Sequence, residues 1–495
     1  MQQRIFSKTG ILLISQSILL DRSGLWLRFG CEQTAVENGY EVVHFSDDML
    51  LRRYYEFDCQ DRPDAKRIMV IDRAALIVPY DIQKRFPIID LSFRLLFPML
   101  DDVVLSHFPG LDFDFLSFAA DRSVYRRLDE QETARFCTEG LRDPALAAAY
   151  GSAQLDKALS LAEAATSHRD WTPVAIAFGK ASMLQHSGIT LSDFASKQDR
   201  IEQAFVRWID AKYSRLSGTV DPRRPVLLSK VNDFIRKGND KIALIVMDGM
   251  SFENFYTIQR MIAYEPFSYD VQASFSFFPT VTSVARQSIF SGKLPREHVK
   301  PFSLDNEEKQ WFEYWQDHGY RTNEIAYFKV RASDPEPDVP LQTKIVGVIV
   351  DICDHLMHGE LQGLDGLLQG VEAWTKKMSL VHLIEDLLKR GFAVYMTADH
   401  GNTSAIGEGR FTKPGVLAEP ASRRAVIYQS SLDARELDKF KTKAYIGTYL
   451  SEGYTAYLFE PATCYGNRGT EYITHGGMTL EEALVPFVRI GENHG

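Results

Sequence analysis

The chain of 495 residues is poor in cysteine and has none paired for a shared task. Cys31, Cys59, Cys137, Cys353 and Cys464 are odd in number and scattered, with no C-x-x-C among them. That excludes a disulfide framework and a thiolate zinc site. Long apolar runs are also lacking. Residues 11–20 (ILLISQSILL) come nearest, but Ser15, Gln16 and Ser17 interrupt the run, Asp21 ends it, and no small-x-small cleavage site follows. The stretch therefore reads as an internal strand, not a secretory leader, and no segment is long enough to span a bilayer. An excess of positive charge is missing too: 56 basic residues face 66 acidic ones, a net charge of −10. This argues against tight, non-specific binding to long nucleic acid. Repeats and low-complexity tracts are absent. These absences predict a cytoplasmic chain with no membrane partner.

What the sequence does have is an ordinary globular balance, 45% hydrophobic and 25% charged, at a length that suggests two to four domains. Residues 9–110 read as a small α/β unit, with short β-rich runs at 11–14, 41–45 and 67–71 and a helix near 50–56. Asp47 and Asp48 follow a strand, but their spacing to Asp72 is too short for a phospho-acceptor domain, which leaves them as solvated turn residues. From about 112 to 215 the pattern is helical, clearest at 145–165 and 201–216. A cluster of Gly, Pro and charge at 217–225 (SGTVDPRRP) marks a boundary. Beyond residue 236, strand and helix alternate. The runs 242–247 (IALIVM) and 345–350 (IVGVIV) are apolar throughout, as in parallel strands buried on both faces. Leu380, Leu383, Ile384, Leu387 and Leu388 form a helical stripe closed by Gly391. Strands follow at 392–397, 425–428 and 485–490. Alternation of this kind predicts an open α/β sheet, with its site beyond the carboxyl ends of the strands.

Five polar clusters fall at such ends. Asp248–Gly249 follows the first buried run. In FPTVTSVARQSIFSG a helix begins at Thr282, whose hydroxyl sits among N–H groups suited to phosphate. Asp399–His400–Gly401–Asn402 closes another strand, and Gly401 permits the turn that would let both side chains reach one ion. Residues 351–359 (DICDHLMHG) hold two overlapping D-x-x-x-H pairs, each separated by one helical turn. His475 lies in a T-H-G-G loop before the last strand. Three Asp, three His and one hydroxyl are a donor set for two oxygen- and nitrogen-ligated cations with an activated nucleophile.

The order D-G, P-T-x-T, D-x-x-x-H, D-H-G-N and H-G-G resembles the alkaline phosphatase superfamily, above all its PglZ-domain branch. FPTVTSVARQSIFSG, DHLMHGELQG, TADHGN, GEGRFTKPGVLAEPASRRAVIY and THGGMTLEEALVPFV are all similar to that branch, over about residues 236–491. Upstream, FSDDMLLRRYYE and the helical region carry a looser likeness. Together with the periodicities, the resemblance implies an α/β protein. Its C-terminal part, 236–495, would be an alkaline-phosphatase-like, mostly parallel sheet flanked by helices. A small α/β unit (1–111) and a helical region (112–235) would precede it. The resemblance further implies two divalent cations, zinc or manganese. Asp354, His358 and His475 would hold one; Asp248, Asp399, His400 and the Thr282 hydroxyl would hold the other. Thr282 is preferred to Thr280 because it directly precedes the helix and, as in relatives, stands ten residues before a glycine, Gly292. Asp354/His358 is preferred to Asp351/His355 because the family motif continues with Gly, here Gly359, and both pairs stay candidates. Arg286 and Arg424 would contact phosphate, Arg286 in a catalytic role. The implied function is hydrolysis of a phosphodiester or phosphomonoester, of a nucleotide or oligonucleotide, in a bacterial phage-defence setting with protein partners. The alternatives are a non-catalytic scaffold of a defence complex, which loss of ligands would signal, and a phosphomutase.

Overall fold

Apolar residues in unbroken runs leave a strand no solvent face, so such strands take the middle of a sheet. The structure, a computed structural model, describes residues 1–73, 76–108, 111–359, 363–410, 422–429 and 433–492. It contains two compact units, one with Met1–Tyr150 and Ala263–Asp270, the other with Gly151–Ile262 and Val271–Gly491.

In the first unit, β1 (Gln16–Leu20), β2 (Glu41–Phe45), β3 (Arg67–Ile71) and β4 (Ile88–Asp90) form a parallel sheet in the order β2-β3-β1-β4. The first strand corrects the expectation at 11–14. Those residues enter a 3-10 turn, Ile11–Leu13, behind Gly10 at φ +60°, and the strand starts at Gln16. Polar Gln16 and Ser17 disguise it, yet Ser17 is buried and Gln16 Nε2 donates to the carbonyls of Pro63 and Ala65. Asp47 is exposed and caps the helix Asp48–Glu56 through the N–H groups of Met49 and Leu50, the solvated role expected of it.

The second unit includes the helices Trp171–His186 and Phe194–Lys212. The stretch 217–225 is more than a flexible connector: the buried Asp221 accepts from His168 Nε2 and Arg169 Nε, and Arg224 is buried as well. The main sheet comprises β5 (Ile242–Met247), β6 (Phe267–Phe275), β7 (Ile325–Val330), β8 (Ile345–Val350), β9 (Ala393–Ala398) and β10 (Leu484–Glu492), ordered β6-β10-β9-β5-β8-β7. Strands β7, β8, β5 and β9 run parallel, and β10 is antiparallel to β9. Every residue of β5 and β8 is buried.

Register positions the site. Met247 pairs with Val350 on one side and Ala398 on the other, so Asp248, Asp351 and Asp399 leave three adjacent strands in one row. Next to the sheet, Thr403–Gly407 pairs antiparallel with Glu471–Thr474, Thr403 opposite Thr474. That ladder brings the chain after His400 alongside the chain before His475. All five cysteines are buried and unbonded. Among the described residues, no helix is long and apolar enough to cross a membrane.

Candidate active site

Two carboxylates anchor the site. At the end of β5 the chain turns at Gly249, φ +74°, in left-handed space where a side chain would also strike Met357. The turn is tied on both sides: Gly249 N donates to Asp399 Oδ1 at 3.0 Å, and Asp354 N donates to the Asp248 carbonyl at 3.2 Å. Asp399 Oδ1 also accepts from His400 N at 2.9 Å. Asp399 Oδ2 therefore faces inward without a hydrogen bond. Asp248 repeats the pattern, with Oδ2 on the guanidinium of Arg286 and Oδ1 without a hydrogen bond. Both side chains are buried.

The charge on this pair is unevenly held. Burial, the largest single effect, raises Asp248, but Arg286, His400, Asp399 and His475 together outweigh it and hold the carboxyl below the ordinary carboxylate range. Asp399 is pushed well above that range, by burial first and by the charge of Asp248 second. One extra positive charge would let both ionise.

His400 completes the cluster, and one ligand atom each from Asp248, Asp399 and His400 lies within 4.8 Å of the others. His400 Nδ1 is 2.9 Å from the Gly401 carbonyl. A carbonyl can only accept, so Nδ1 carries a proton, and in the neutral ring Nε2 is the atom with the lone pair. Nε2 lies 3.0 Å from Thr282 Oγ1 and 3.6 Å from Asp399 Oδ2. His475 stacks on His400 with ring centroids 3.9 Å apart and planes 12° from parallel. Its Nδ1 is 2.8 Å from the Thr280 carbonyl, which sets the same tautomer. Gly401 allows the close approach of this turn to the short helix Leu480–Ala483, because a Cβ there would sit 1.9 Å from the Glu481 carbonyl oxygen.

A divalent cation fits what is present. Two buried carboxylate oxygens without donors, beside an imidazole lone pair, are costly unless a cation or proton compensates them. Oxygen and nitrogen donors of this kind suit zinc or manganese. Both imidazoles are oriented by backbone carbonyls, as metal-binding histidines usually are.

Thr282 opens the helix Thr282–Ser291, is partly exposed, and faces His400. Thr280 is fully buried and fully engaged: its hydroxyl donates to the Gly477 carbonyl at 3.0 Å and accepts from Gly476 N at 3.1 Å. Of the overlapping pairs, Asp354 stands against the Asp248–Gly249 turn, half-buried. Asp351 instead accepts from Ala332 N at 2.9 Å, and His355 is exposed. His358 belongs to the helix Ile352–Gly359, but its side chain lies outside the described residues, as do residues 411–421 of the long GEGRFTKPGVLAEPASRRAVIY motif.

The two arginines have partners inside the protein. Arg286 is buried and occupied, joining Asp248 to Glu307. Arg424 is fully buried on Glu482, 2.6 Å away, and on the carbonyls of Phe459 and Glu460. All three nitrogens of Arg286 are taken, whereas Arg424 Nε is buried without a hydrogen bond. Both acidic partners lie far along the chain from their arginines, so no local pattern reveals the pairing. Sequence reasoning placed Asn402 in the D-H-G-N cluster without a role; its Nδ2 donates to the Gly249 carbonyl at 2.7 Å and to Asn254 Oδ1 at 2.6 Å, bracing the turn. Glu482 was legible: Thr479 and Glu482 form a capping box, the T-x-x-E signature of a helix start.

Residues 226–490 match the family described as the BREX system PglZ alkaline phosphatase-like domain. The chain belongs to the PglZ family. Some solved structures are similar to the chain at a low level. Murine ectonucleotide pyrophosphatase/phosphodiesterase 5 is 13% identical, with a TM-score of 0.34 over 50% of this chain and 87% of its own. The human counterpart is 15% identical, with a TM-score of 0.33 over 50% and 87%. Phosphonoacetate hydrolase from Sinorhizobium meliloti 1021 is 12% identical, with a TM-score of 0.31 over 50% and 89%. No curated protein matches the chain. Membership of the PglZ family supports a phosphoryl-transfer hydrolase.

Proposed function

We propose that this PglZ protein is a metal-dependent phosphoryl-transfer hydrolase, a phosphodiesterase or phosphatase for nucleotides or oligonucleotides, with Thr282 as nucleophile. The observation that carries the reading is the hydroxyl of Thr282 at a helix start, 3.0 Å from His400, whose neighbours Asp248 and Asp399 each keep a carboxylate oxygen without a donor. In this reading Asp248, Asp399, His400 and Thr282 hold one cation, and Asp354, His358 and His475 the other, zinc or manganese. Cations held there supply Lewis acidity and favour the ionised hydroxyl. Thr282 Oγ1 bonds to phosphorus as the ester oxygen leaves in line. The hydroxyl proton passes to solvent and the leaving oxygen takes one up. The first N–H groups of the helix Thr282–Ser291 steady the equatorial oxygens. Water then cleaves the phosphothreonine and restores the hydroxyl. The BREX designation of the family supports protein partners in a phage-defence assembly.

The test is kcat on a chromogenic phosphodiester with metal content measured alongside. Thr282→Ala is expected to keep fold and metal and lose several powers of ten in kcat. Thr282→Ser should retain partial activity. Thr280→Ala should weaken the protein through the His475 loop and leave the chemistry comparatively intact. A fully active Thr282→Ala would end the covalent reading.

A further inference from the structure

Arg286 has three nitrogens to offer, and their allocation is unusual. Glu307 takes two of them: Oε1 accepts from Nε at 2.6 Å, and Oε2 from Nη2 at 3.1 Å. Nη1 alone is left for Asp248, and it meets only Oδ2. A guanidinium free of Glu307 would present a two-nitrogen fork and could grip both oxygens of a carboxylate. Glu307 is itself held. Tyr327 OH donates to its Oε2 at 2.7 Å, and Lys329 Nζ lies 3.0 Å from the same oxygen. Tyr327 and Lys329 are two residues apart on β7, hence on one face of the strand. Glu307 and Arg286 are both buried, so neither exchanges this partner for water.

We infer that Glu307 is a positioning residue for the cation site: by occupying Nε and Nη2 of Arg286 it limits that arginine to one oxygen of Asp248 and keeps Oδ1 available as a ligand. The inference rests on the metal-dependent reading above and adds a role for a residue outside the ligand set. Without Glu307, Arg286 turns its fork on Asp248 and competes with the cation.

The test is a Zn²⁺ titration of the full chain by calorimetry, with the melting temperature of the metal-free protein as a fold check. Glu307→Ala should weaken Zn²⁺ binding by about ten- to a hundredfold, the usual cost of losing a partner behind a metal ligand. Glu307→Gln keeps one acceptor for Nε and should fall between wild type and Glu307→Ala. In an Arg286→Met background, Glu307→Ala should cost no further affinity, because the residue it restrains is gone. Should Glu307→Ala fail to fold, the same pair of backgrounds is compared with Glu307→Gln. Wild-type Zn²⁺ affinity in the Glu307 variants, or an equal loss in both backgrounds, overturns the inference while leaving the metal site standing. A wild-type chain that binds no Zn²⁺ overturns the inference and the metal-dependent reading together.

Discussion

At Asp399, one atom separates stability from function. Its Oδ1 is satisfied by two backbone N–H groups, and its Oδ2 points at Asp248 without a donor. Asparagine at this position could keep Oδ1 and place an N–H₂ where Oδ2 now stands, donating to Asp248 Oδ1. Asp399→Asn is therefore expected to raise the melting temperature of the metal-free protein at pH 8 and to abolish Zn²⁺ binding. Calorimetry with and without metal checks both, and a metal-free variant less stable than wild type would contradict the account. The same residue shows what the sequence discloses. D-H-G-N at the end of an apolar run is a local signal, because turn, carboxylate and imidazole are neighbours in the chain. Arg286 and Arg424 gave no such signal. Their roles depend on Glu307 and Glu482, 21 and 58 residues away, and a lone arginine looks the same whether it meets a phosphate or a buried acid.

Among the elements, those whose neighbours are set by burial were legible. An all-apolar run such as Ile242–Met247 fits only the middle of a sheet, and so does Ile345–Val350. Gln16–Leu20 was displaced in the reading because Gln16 is compensated by carbonyls that the sequence places elsewhere. The helix Phe194–Lys212 carries a further compensation. It offers Glu202 to Leu480 N, at 2.9 and 3.1 Å from its two oxygens. Burial raises this carboxyl to about 8, against the lowering effect of that N–H. In the unfolded chain the same group titrates near the ordinary value for glutamate, about 4.3. Between these values the folded protein keeps a proton that the unfolded chain has lost, so this group's contribution to stability declines as pH rises and levels off above about 8. Glu202→Gln lacks that decline. Its melting temperature relative to wild type should increase from pH 5 to pH 8.5, and a constant difference across that range would remove Glu202 from the pH response.

For the whole molecule, the row formed by Asp248, Asp351 and Asp399 has a consequence for folding. The residues that gather around His400 come from chain positions 248, 282, 399 and 475, and strand pairing makes neighbours of 248 and 399. A slip of β9 by one residue against β5 would put Ala398 or His400 in the place of Asp399 and turn every side chain of the strand to the opposite face. A cation that needs both carboxylates cannot bind such a slipped sheet, nor the unfolded chain. Its free energy of binding therefore belongs wholly to the correctly registered strands. During refolding, Zn²⁺ at a hundred times its dissociation constant would add about 2.7 kcal/mol to that one arrangement. A cation held there would serve as a proofreader of strand register, rewarding the one alignment in which the proposed catalytic groups also meet.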